Sequence, residues 1–145
     1  LAESALADAG RKRLPVAVAM IDIDHFKRIN DAHGHDVGDM TLRHLAGLLQ
    51  SHFATPDGGR HVGRIGGEEF CVVATGAAAQ AMPEACEALR RAVEESKVET
   101  ADATVCFTVS IGLVEEDLGR FEDLLKAADA KLYAAKTGGR NRLVR

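Results

Sequence analysis

The order of apolar patterns along the chain predicts an α+β domain in which helices pack on a central sheet. The first observation is a continuous apolar segment, residues 14–21, which is typical of a strand covered on both faces. The second is a pair of strand-like segments, 60–65 and 69–75, separated by a turn at 66–68. The Gly-Gly pair in that turn indicates a hairpin, because the favoured hairpin turns need positive φ. The third is the alternation of these strands with segments of helical periodicity.

In the first half of the chain, capping and turn residues mark the ends of the elements that the apolar periodicity predicts. A helix is predicted over the first dozen residues, ending near Gly10. After the first strand, Asp24 can cap a short helix that runs through Asn30, since aspartate is a favoured N-cap residue. A longer helix is predicted over 39–53, followed by a turn over 55–59.

The second half predicts two more helices and two more strands. They are a helix over 79–96, a strand over 104–113, a helix over 121–137 and a short strand over 142–144. In 104–113 apolar residues alternate strictly with polar or small ones, which predicts a strand with one buried face. The middle of the chain therefore has a βαββαβ order, a core sheet with helices packed on it.

Size and composition limit the classes of function. The chain has 145 residues and no linker composition, so we expect residues 1–145 to form one domain. The net charge of −4 argues against nucleic-acid binding, which needs clustered positive charge. No apolar run approaches the roughly 18 residues of a membrane span, so we expect no membrane contact by this domain. Three cysteines without a CxxC spacing suit a reducing compartment, and we expect a cytoplasmic domain, either free or part of a membrane-attached protein.

Three acids are candidates for a metal site. Asp22 directly follows the first strand, and Glu68 and Glu69 lie at the predicted hairpin turn. If the hairpin pairs beside that strand, the three carboxylates meet, and two like charges about 4 Å apart repel by roughly 4 kcal/mol at an effective dielectric near 20. Such a cluster is stable only if a proton or a cation compensates it, and for a cation the all-oxygen ligands suit Mg²⁺ or Mn²⁺. The alternative is that these are solvated acids of a turn.

A second group of polar residues could bind a phosphorylated nucleoside. Lys27 lies near the start of a short helix, where free backbone N–H groups favour phosphate. Lys136 and Arg140 lie at the end of the last helix, where they could equally complement the helix dipole. Asn30 and Asp39 flank a glycine-rich connection, and a carboxylate suits guanine because its N1–H and N2–H₂ groups are both donors. The alternative for Asp39 is a helix N-cap or an acid in the first turn of the helix, and either role could coexist with guanine binding.

Several spaced motifs resemble those of the GGDEF diguanylate cyclase family, in its GGEEF variant. They are residues 22–31 (DIDHFKRIND), Gly34-His35, Gly38-Asp39, residues 64–70 (RIGGEEF), Ser110-Ile111-Gly112, Ala128-Asp129 with Leu132-Tyr133, and residues 136–141 (KTGGRN). The similarity runs from about Val16 to the end of the chain. Several motifs in the right order are far more specific than any one of them.

This resemblance implies both a fold and a reaction. The fold is related to nucleotidyl cyclase and polymerase palm domains. In the reaction, two GTP molecules condense to cyclic di-GMP with loss of two pyrophosphates. Each subunit of an antiparallel homodimer presents one GTP, and each 3′-hydroxyl attacks the α-phosphate of the other.

The resemblance also implies a role for each matching position. The metal ligands would be the Asp22 carboxylate, the Ile23 carbonyl and Glu69, with Glu68 either a further ligand or the catalytic group that helps to deprotonate the 3′-hydroxyl. Guanine would be bound by Asn30 and Asp39. The β- and γ-phosphates would be held by Lys27, Lys136, Arg140 and the backbone near Phe26.

Two departures from the family pattern bear on regulation. The usual inhibitory motif, RxxD, would place Arg at 57 and Asp at 60, whereas this chain has Asp57 and Arg60. We therefore expect no inhibitory site, and product inhibition that is lost or weak. The chain starts just after the usual N-terminal segment of the family. We expect it to be the C-terminal catalytic part of a longer signalling protein, with a sensor or regulatory domain before it.

Two other functions remain open on the sequence. One is a catalytically silent module that binds GTP or cyclic di-GMP and acts through protein contacts, against which the intact acids of the turn argue. The other is a cyclase with a different base choice, against which Asp39 argues.

Overall fold

In the computed structural model the predicted elements that fall within the described residues follow one another in the predicted order, with the short strand β4 added and one helix divided. The strands are β1 (Val16–Ile23), β2 (Arg60–Arg64), β3 (Glu69–Thr75), β4 (Val98–Glu99), β5 (Thr104–Val105), β6 (Val109–Glu116) and β7 (Leu143–Val144). The helices are α1 (Phe26–His33), α2 (His35–Phe53), α3 (Ala77–Gln80), α4 (Met82–Glu95) and α5 (Phe121–Thr137). The structure describes residues 14–54, 59–116 and 120–145, together with Ser4, Ala7 and Ala9.

Five of the strands form one sheet in the order β2-β3-β1-β6-β7, and β4 pairs with β5 apart from it. Within the five-stranded sheet all neighbours are antiparallel except β6 and β7. This is the predicted βαββαβ core, so the α+β fold class is confirmed. The helix predicted over the first dozen residues and the turn predicted over 55–59 lie largely outside the described residues.

The strand β1 is the centre of the core, and all eight of its residues are buried. Alternate side chains of a strand point to opposite faces, so β1 contributes to two apolar layers. Ala17, Ala19 and Ile21 pack with residues of α2 and α4, whereas Val18 and Met20 pack with residues of α5. The continuous apolar pattern of this segment therefore reflects helices on both faces, as predicted.

The prediction of one strand over 104–113 with one buried face is wrong in two respects. Its first part is β5, which pairs with β4, and the main sheet is joined only from Val109 onward. The strand β6 is also buried on both faces up to Val114. A Cβ atom at Gly112 would lie 2.2 Å from the backbone nitrogen of Leu132, so the absence of a side chain lets α5 pack directly on the strand. Cys106, in the irregular segment before β6, is exposed.

The helix boundaries differ from the predictions at three places. The helix predicted over 79–96 is divided into α3 and α4, and Pro83 lies in the first turn of α4, where proline is tolerated. The helix α2 begins at His35 and not near Asp39. The N-cap of α1 is His25, at φ 56°, and no side chain caps this helix, so the capping role predicted for Asp24 is wrong. None of the helices within the described ranges has the length and hydropathy of a membrane-spanning segment.

Candidate active site

Two of the three predicted metal-binding acids face each other across neighbouring strands. Asp22 lies at the end of β1, and its register partner on β3 is Glu69. Directly opposed residues of an antiparallel pair project from the same face, with Cβ atoms about 4.5–5.5 Å apart. Glu68 precedes Glu69 in the turn between β2 and β3. The pairing of β3 with β1 thus brings acids distant in sequence to one end of the sheet.

Asp22 is buried, with 2% of its surface exposed, and Lys136 compensates its charge only in part. Its pKa is raised to about 6: burial has the largest effect, the hydrogen bond and charge of Lys136 lower the pKa, and the charges of Glu68 and Glu69 raise it. One carboxylate oxygen, Oδ2, accepts a hydrogen bond from Lys136 Nζ. The other, Oδ1, is buried and has no partner among the described residues. A buried carboxylate with an unused oxygen, beside two further acids, is a site that favours an additional cation.

The donor set suits a hard divalent cation. Asp22, Glu68 and Glu69 offer only oxygen atoms, and Ile23, whose side chain lies in the core, could add only its backbone carbonyl. In the part of the chain that the structure describes, no three His, Cys, Asp or Glu side chains already converge as a group that could hold an ion. The ammonium group of Lys136 is the cation bound to Asp22 in this arrangement.

The hairpin turn presents an open, side-chain-free surface next to these acids. Neither Gly66 nor Gly67 has a positive φ, so the expectation of a primed turn is wrong. A Cβ atom at either position would meet no atom within 4 Å. Arg64 holds the turn by donating to the carbonyl oxygens of Gly66 (3.1 Å) and Gly67 (2.5 Å). Within this chain neither backbone conformation nor packing requires the two glycines, which leaves room for a ligand above the turn.

The two residues predicted to bind guanine lie on adjoining helices. Asn30 is on α1, and its amide oxygen lies so close to Gly38 of α2 that a Cβ atom there would be 1.8 Å away. The next residue, Asp39, is exposed. It lines a cleft of about 320 Å³ between α2 and the β2–β3 hairpin, together with Arg64 and Phe70. Asn30 and Asp39 are therefore brought to the same end of α2.

The predicted phosphate-binding residues are less closely gathered. Phe26 and Lys27 open α1, and the Lys27 side chain is exposed. Arg140 follows α5 with φ 64° and is also exposed. Within the described ranges neither Lys27 nor Arg140 is hydrogen-bonded to one of the acids. Lys136 alone contacts them, through Asp22.

Asp24 has a positioning role that the sequence did not reveal. Its carboxylate accepts hydrogen bonds from Thr108 Oγ1 (2.7 Å), Ser110 Oγ (2.6 Å) and the backbone N–H of Asn141 (2.9 Å). These bonds tie the end of β1 to the start of β6 and to the loop that carries Arg140. The motif containing Ser110 and the one containing Asn141 were both visible in the sequence, but only the fold shows that they meet at one acid.

A larger cavity, of about 530 Å³, lies between α1 and residues 104–108. It is lined by parts of α1, β5 and the segment before β6, including Arg28, His33 and Phe107. None of the residues predicted to bind substrate or metal lines it. This cavity therefore shares no lining residue with the predicted metal site or with the cleft at Asp39.

The side chain of Arg60, a residue of the reversed inhibitory motif, packs against other residues of the domain and does not extend into solvent. Its guanidinium group lies over the ring of Phe53 at 5.7 Å and donates to the carbonyl oxygens of His52 and Ala78, each at 3.5 Å. The other position of the motif, Asp57, lies outside the described residues. The loss of product inhibition stays a prediction, and the contacts of Arg60 are consistent with it.

The α+β fold and the acids at the end of its central strands define a class of domain that comparison with known proteins identifies. A family model described as "Diguanylate cyclase, GGDEF domain" matches residues 1–142. The chain therefore belongs to the GGDEF diguanylate cyclase domain family. The family resemblance seen in the sequence motifs is confirmed.

Relatives and solved structures agree with this family. The chain is 36% identical over 137 residues to Diguanylate cyclase A of Treponema denticola, covering 93% of this chain and 36% of that protein. It is similar to the GGDEF domain of DgcB from Caulobacter crescentus, solved in complex with c-di-GMP, with a TM-score of 0.89 and 34% identity over 98% of this chain and 84% of that one. It is also similar to the active GGEEF domain of a diguanylate cyclase from Vibrio cholerae, with a TM-score of 0.86 and 33% identity over 99% of this chain and 90% of that one. The chain spans only 30% to 36% of the length of the first curated relatives.

Proposed function

We propose that this chain is the catalytic domain of a diguanylate cyclase, which condenses two GTP molecules into cyclic di-GMP and releases two pyrophosphates. The observation that carries the proposal is the register pair of Asp22 and Glu69, which places a buried, under-compensated carboxylate beside the open Gly-Gly turn. A site of this kind recruits a cation and leaves space for a triphosphate. The curated relatives named as diguanylate cyclases support the same reaction.

In this proposal the acids of the sheet hold Mg²⁺ or Mn²⁺, through Asp22, the Ile23 carbonyl, Glu68 and Glu69. A bound ion of this type polarises the α-phosphate and lowers the pKa of the attacking hydroxyl. Glu68 is the acid of the turn best suited to accept the proton of the 3′-hydroxyl. Asp22, which is buried, and Glu69, which opposes it in the sheet, supply negative charge that binds the metal ion.

The remaining residues bind the two ends of the nucleotide. Asn30 and Asp39, at the start of α2, hydrogen-bond the guanine edge. Lys27, the backbone at Phe26, Lys136 and Arg140 neutralise the β- and γ-phosphates and the pyrophosphate that leaves. For Lys136 this requires its ammonium group to move from Asp22, where it is bound in this structure, to a phosphate.

One domain that holds one GTP has half of the reacting groups. We propose that two copies pair antiparallel, so that the 3′-hydroxyl held by each attacks the α-phosphate held by the other. We further propose that the domain works in the cytoplasm as part of a longer protein with a regulatory domain before it. The shares of 30% and 36% of the curated relatives' lengths support a longer parent protein.

The test is product formation from GTP by the purified chain, with Mg²⁺ or Mn²⁺, over a range of protein concentrations. We expect cyclic di-GMP, identified by chromatography, and a specific activity that rises with protein concentration. Glu69→Gln should abolish the product. Glu95→Gln, which changes an exposed acid on α4 outside the proposed site, is the matched control and should leave the rate unchanged. Binding of GTP without any product, with both metals and at all concentrations, would instead favour the silent binding module.

A further inference from the structure

We propose that Gly38 is a positioning residue for base recognition, because its missing side chain is what lets the Asn30 amide lie against the turn of α2 that carries Asp39. The inference rests on the proposed function, in which Asn30 and Asp39 bind guanine. It adds a residue that contacts no substrate itself and determines specificity through its neighbour.

The space that a side chain at Gly38 would need is occupied by Asn30. Gly38 is a buried residue in the first turns of α2, and its N–H donates to the Gly34 carbonyl oxygen at 3.1 Å. A Cβ atom added to it would lie 1.8 Å from Asn30 Oδ1 and 2.9 Å from Asn30 Cγ. Real Cβ atoms essentially never approach another atom closer than 3.0 Å, so even alanine must displace the amide by more than 1 Å.

The backbone gives no other reason for a glycine at this position. Gly34, which separates α1 from α2, has φ 89° and is required by its conformation, whereas Gly38 has ordinary helical geometry. Glycine inside a helix lowers helix stability relative to alanine. Of the two glycines inside α2, Gly38 is the one at which an alanine would push Asn30 away. Gly47, in the same helix, has open space around it and provides a direct comparison.

The displacement matters because amide recognition of a base depends on direction. The Asn30 side chain offers one acceptor oxygen and two N–H donors, and hydrogen bonds weaken steeply when the angle or distance departs from its optimum. An amide moved by more than 1 Å can no longer share the guanine edge with the carboxylate of Asp39. Phosphate binding uses other residues, so the loss of the Asn30 hydrogen bond should weaken the binding of guanine nucleotides and not of other nucleotides.

The experiment measures the dissociation constants of 3′-deoxy-GTP and 3′-deoxy-ATP with Mg²⁺ by calorimetry. Both lack the attacking hydroxyl, so neither can be turned over. We expect Gly38→Ala to weaken 3′-deoxy-GTP binding by about five- to tenfold, the equivalent of one hydrogen bond, and to leave 3′-deoxy-ATP binding unchanged. General damage to the fold would weaken both ligands alike and would overturn the proposal.

Two controls separate positioning from packing. Gly47→Ala makes the same change in open space and should leave the ratio of the two constants unchanged. Asn30→Ala should by itself reduce the preference for 3′-deoxy-GTP over 3′-deoxy-ATP. Adding Gly38→Ala to it should reduce this preference no further, because the amide that the new methyl group would displace is already gone. In that background Gly38→Ala should also raise the thermal midpoint, since alanine now fits the helix.

Different results would overturn the positioning role of Gly38 and the proposed function. A Gly38→Ala protein that keeps the full preference for the guanine nucleotide overturns the positioning role and leaves the proposed function intact. A further loss of preference in the Asn30→Ala background has the same meaning. A parent protein with no preference for 3′-deoxy-GTP overturns both the positioning role and the guanine readers on which it rests.

Discussion

Replacing Asp22 with asparagine should remove a pH-dependent loss of stability from the metal-free protein. Burial and the neighbouring acids raise the pKa of Asp22 from 3.8 to about 6. Between these two values the native protein holds a proton that the unfolded chain has released. Raising the pH through this window therefore favours unfolding, and above pH 6 the full cost is present. Asparagine has nearly the same shape and does not titrate, so the variant lacks this cost.

The magnitude follows from the pKa difference. Each pKa unit corresponds to about 1.36 kcal/mol, so the cost at neutral pH is about 3 kcal/mol, of which about 2 kcal/mol develops above pH 4. This is a large fraction of the 5–15 kcal/mol that typically stabilises a domain. The site thus lowers the stability of the metal-free fold, as is common where function needs closely spaced charges.

Urea unfolding of the wild-type protein and of Asp22→Asn, at pH 4 and pH 7.5 in a chelator, measures this cost. The advantage of the variant should grow by about 2 kcal/mol between the two pH values. Asp129→Asn, which changes an exposed acid on α5, should show no comparable growth. A difference between wild type and Asp22→Asn that is constant with pH, or that shrinks as pH rises, would refute the assignment of an incompletely compensated charge to Asp22. Mn²⁺ should stabilise the wild-type protein and not the variant, which is also expected to be inactive.

Two further predictions follow from the contacts of the site and of the sheet. Lys136→Met removes the cation that is bound to Asp22, so Mn²⁺ alone, titrated at pH 8 by calorimetry, should bind several-fold more tightly than to the parent. Weaker binding would show that Lys136 and the metal do not compete for this carboxylate. Gly112→Ala places a Cβ atom 2.2 Å from the Leu132 backbone nitrogen and 2.3 Å from the Ala128 oxygen, and should lower the free energy of unfolding by about 3 kcal/mol. Gly47→Ala should raise it by up to about 1 kcal/mol, and equal effects of the two changes would contradict the packing argument.

Several features of the site were predictable because they depend on local sequence. The apolar run before Asp22 predicts a buried strand that ends at an acid, and the Gly66-Gly67 pair predicts a turn that presents the next two acids. The reason expected for the glycines was wrong, since neither has a positive φ. What the glycines provide is an open surface, and openness is a property of the surrounding structure that a local pattern does not encode.

Other features were missed because their causes lie between elements. Asp24 looked like a helix cap, the usual role of an aspartate before a helix, but its partners Thr108, Ser110 and Asn141 are more than 80 residues away in sequence. The strand predicted over 104–113 was placed as one element, because alternation cannot show that its two halves pair with different strands.

The sequence by itself determined the α+β class, the order of the elements and the family, because periodicity, turn residues and spaced motifs are written along the chain. Only the tertiary structure decided which residues act on one another. Strand register set Asp22 opposite Glu69, the packing of α1 on α2 placed the Asn30 amide in the space left by Gly38, and burial raised the pKa of Asp22 to about 6. Each of these depends on distance and solvent exclusion, which arise only when separate segments meet.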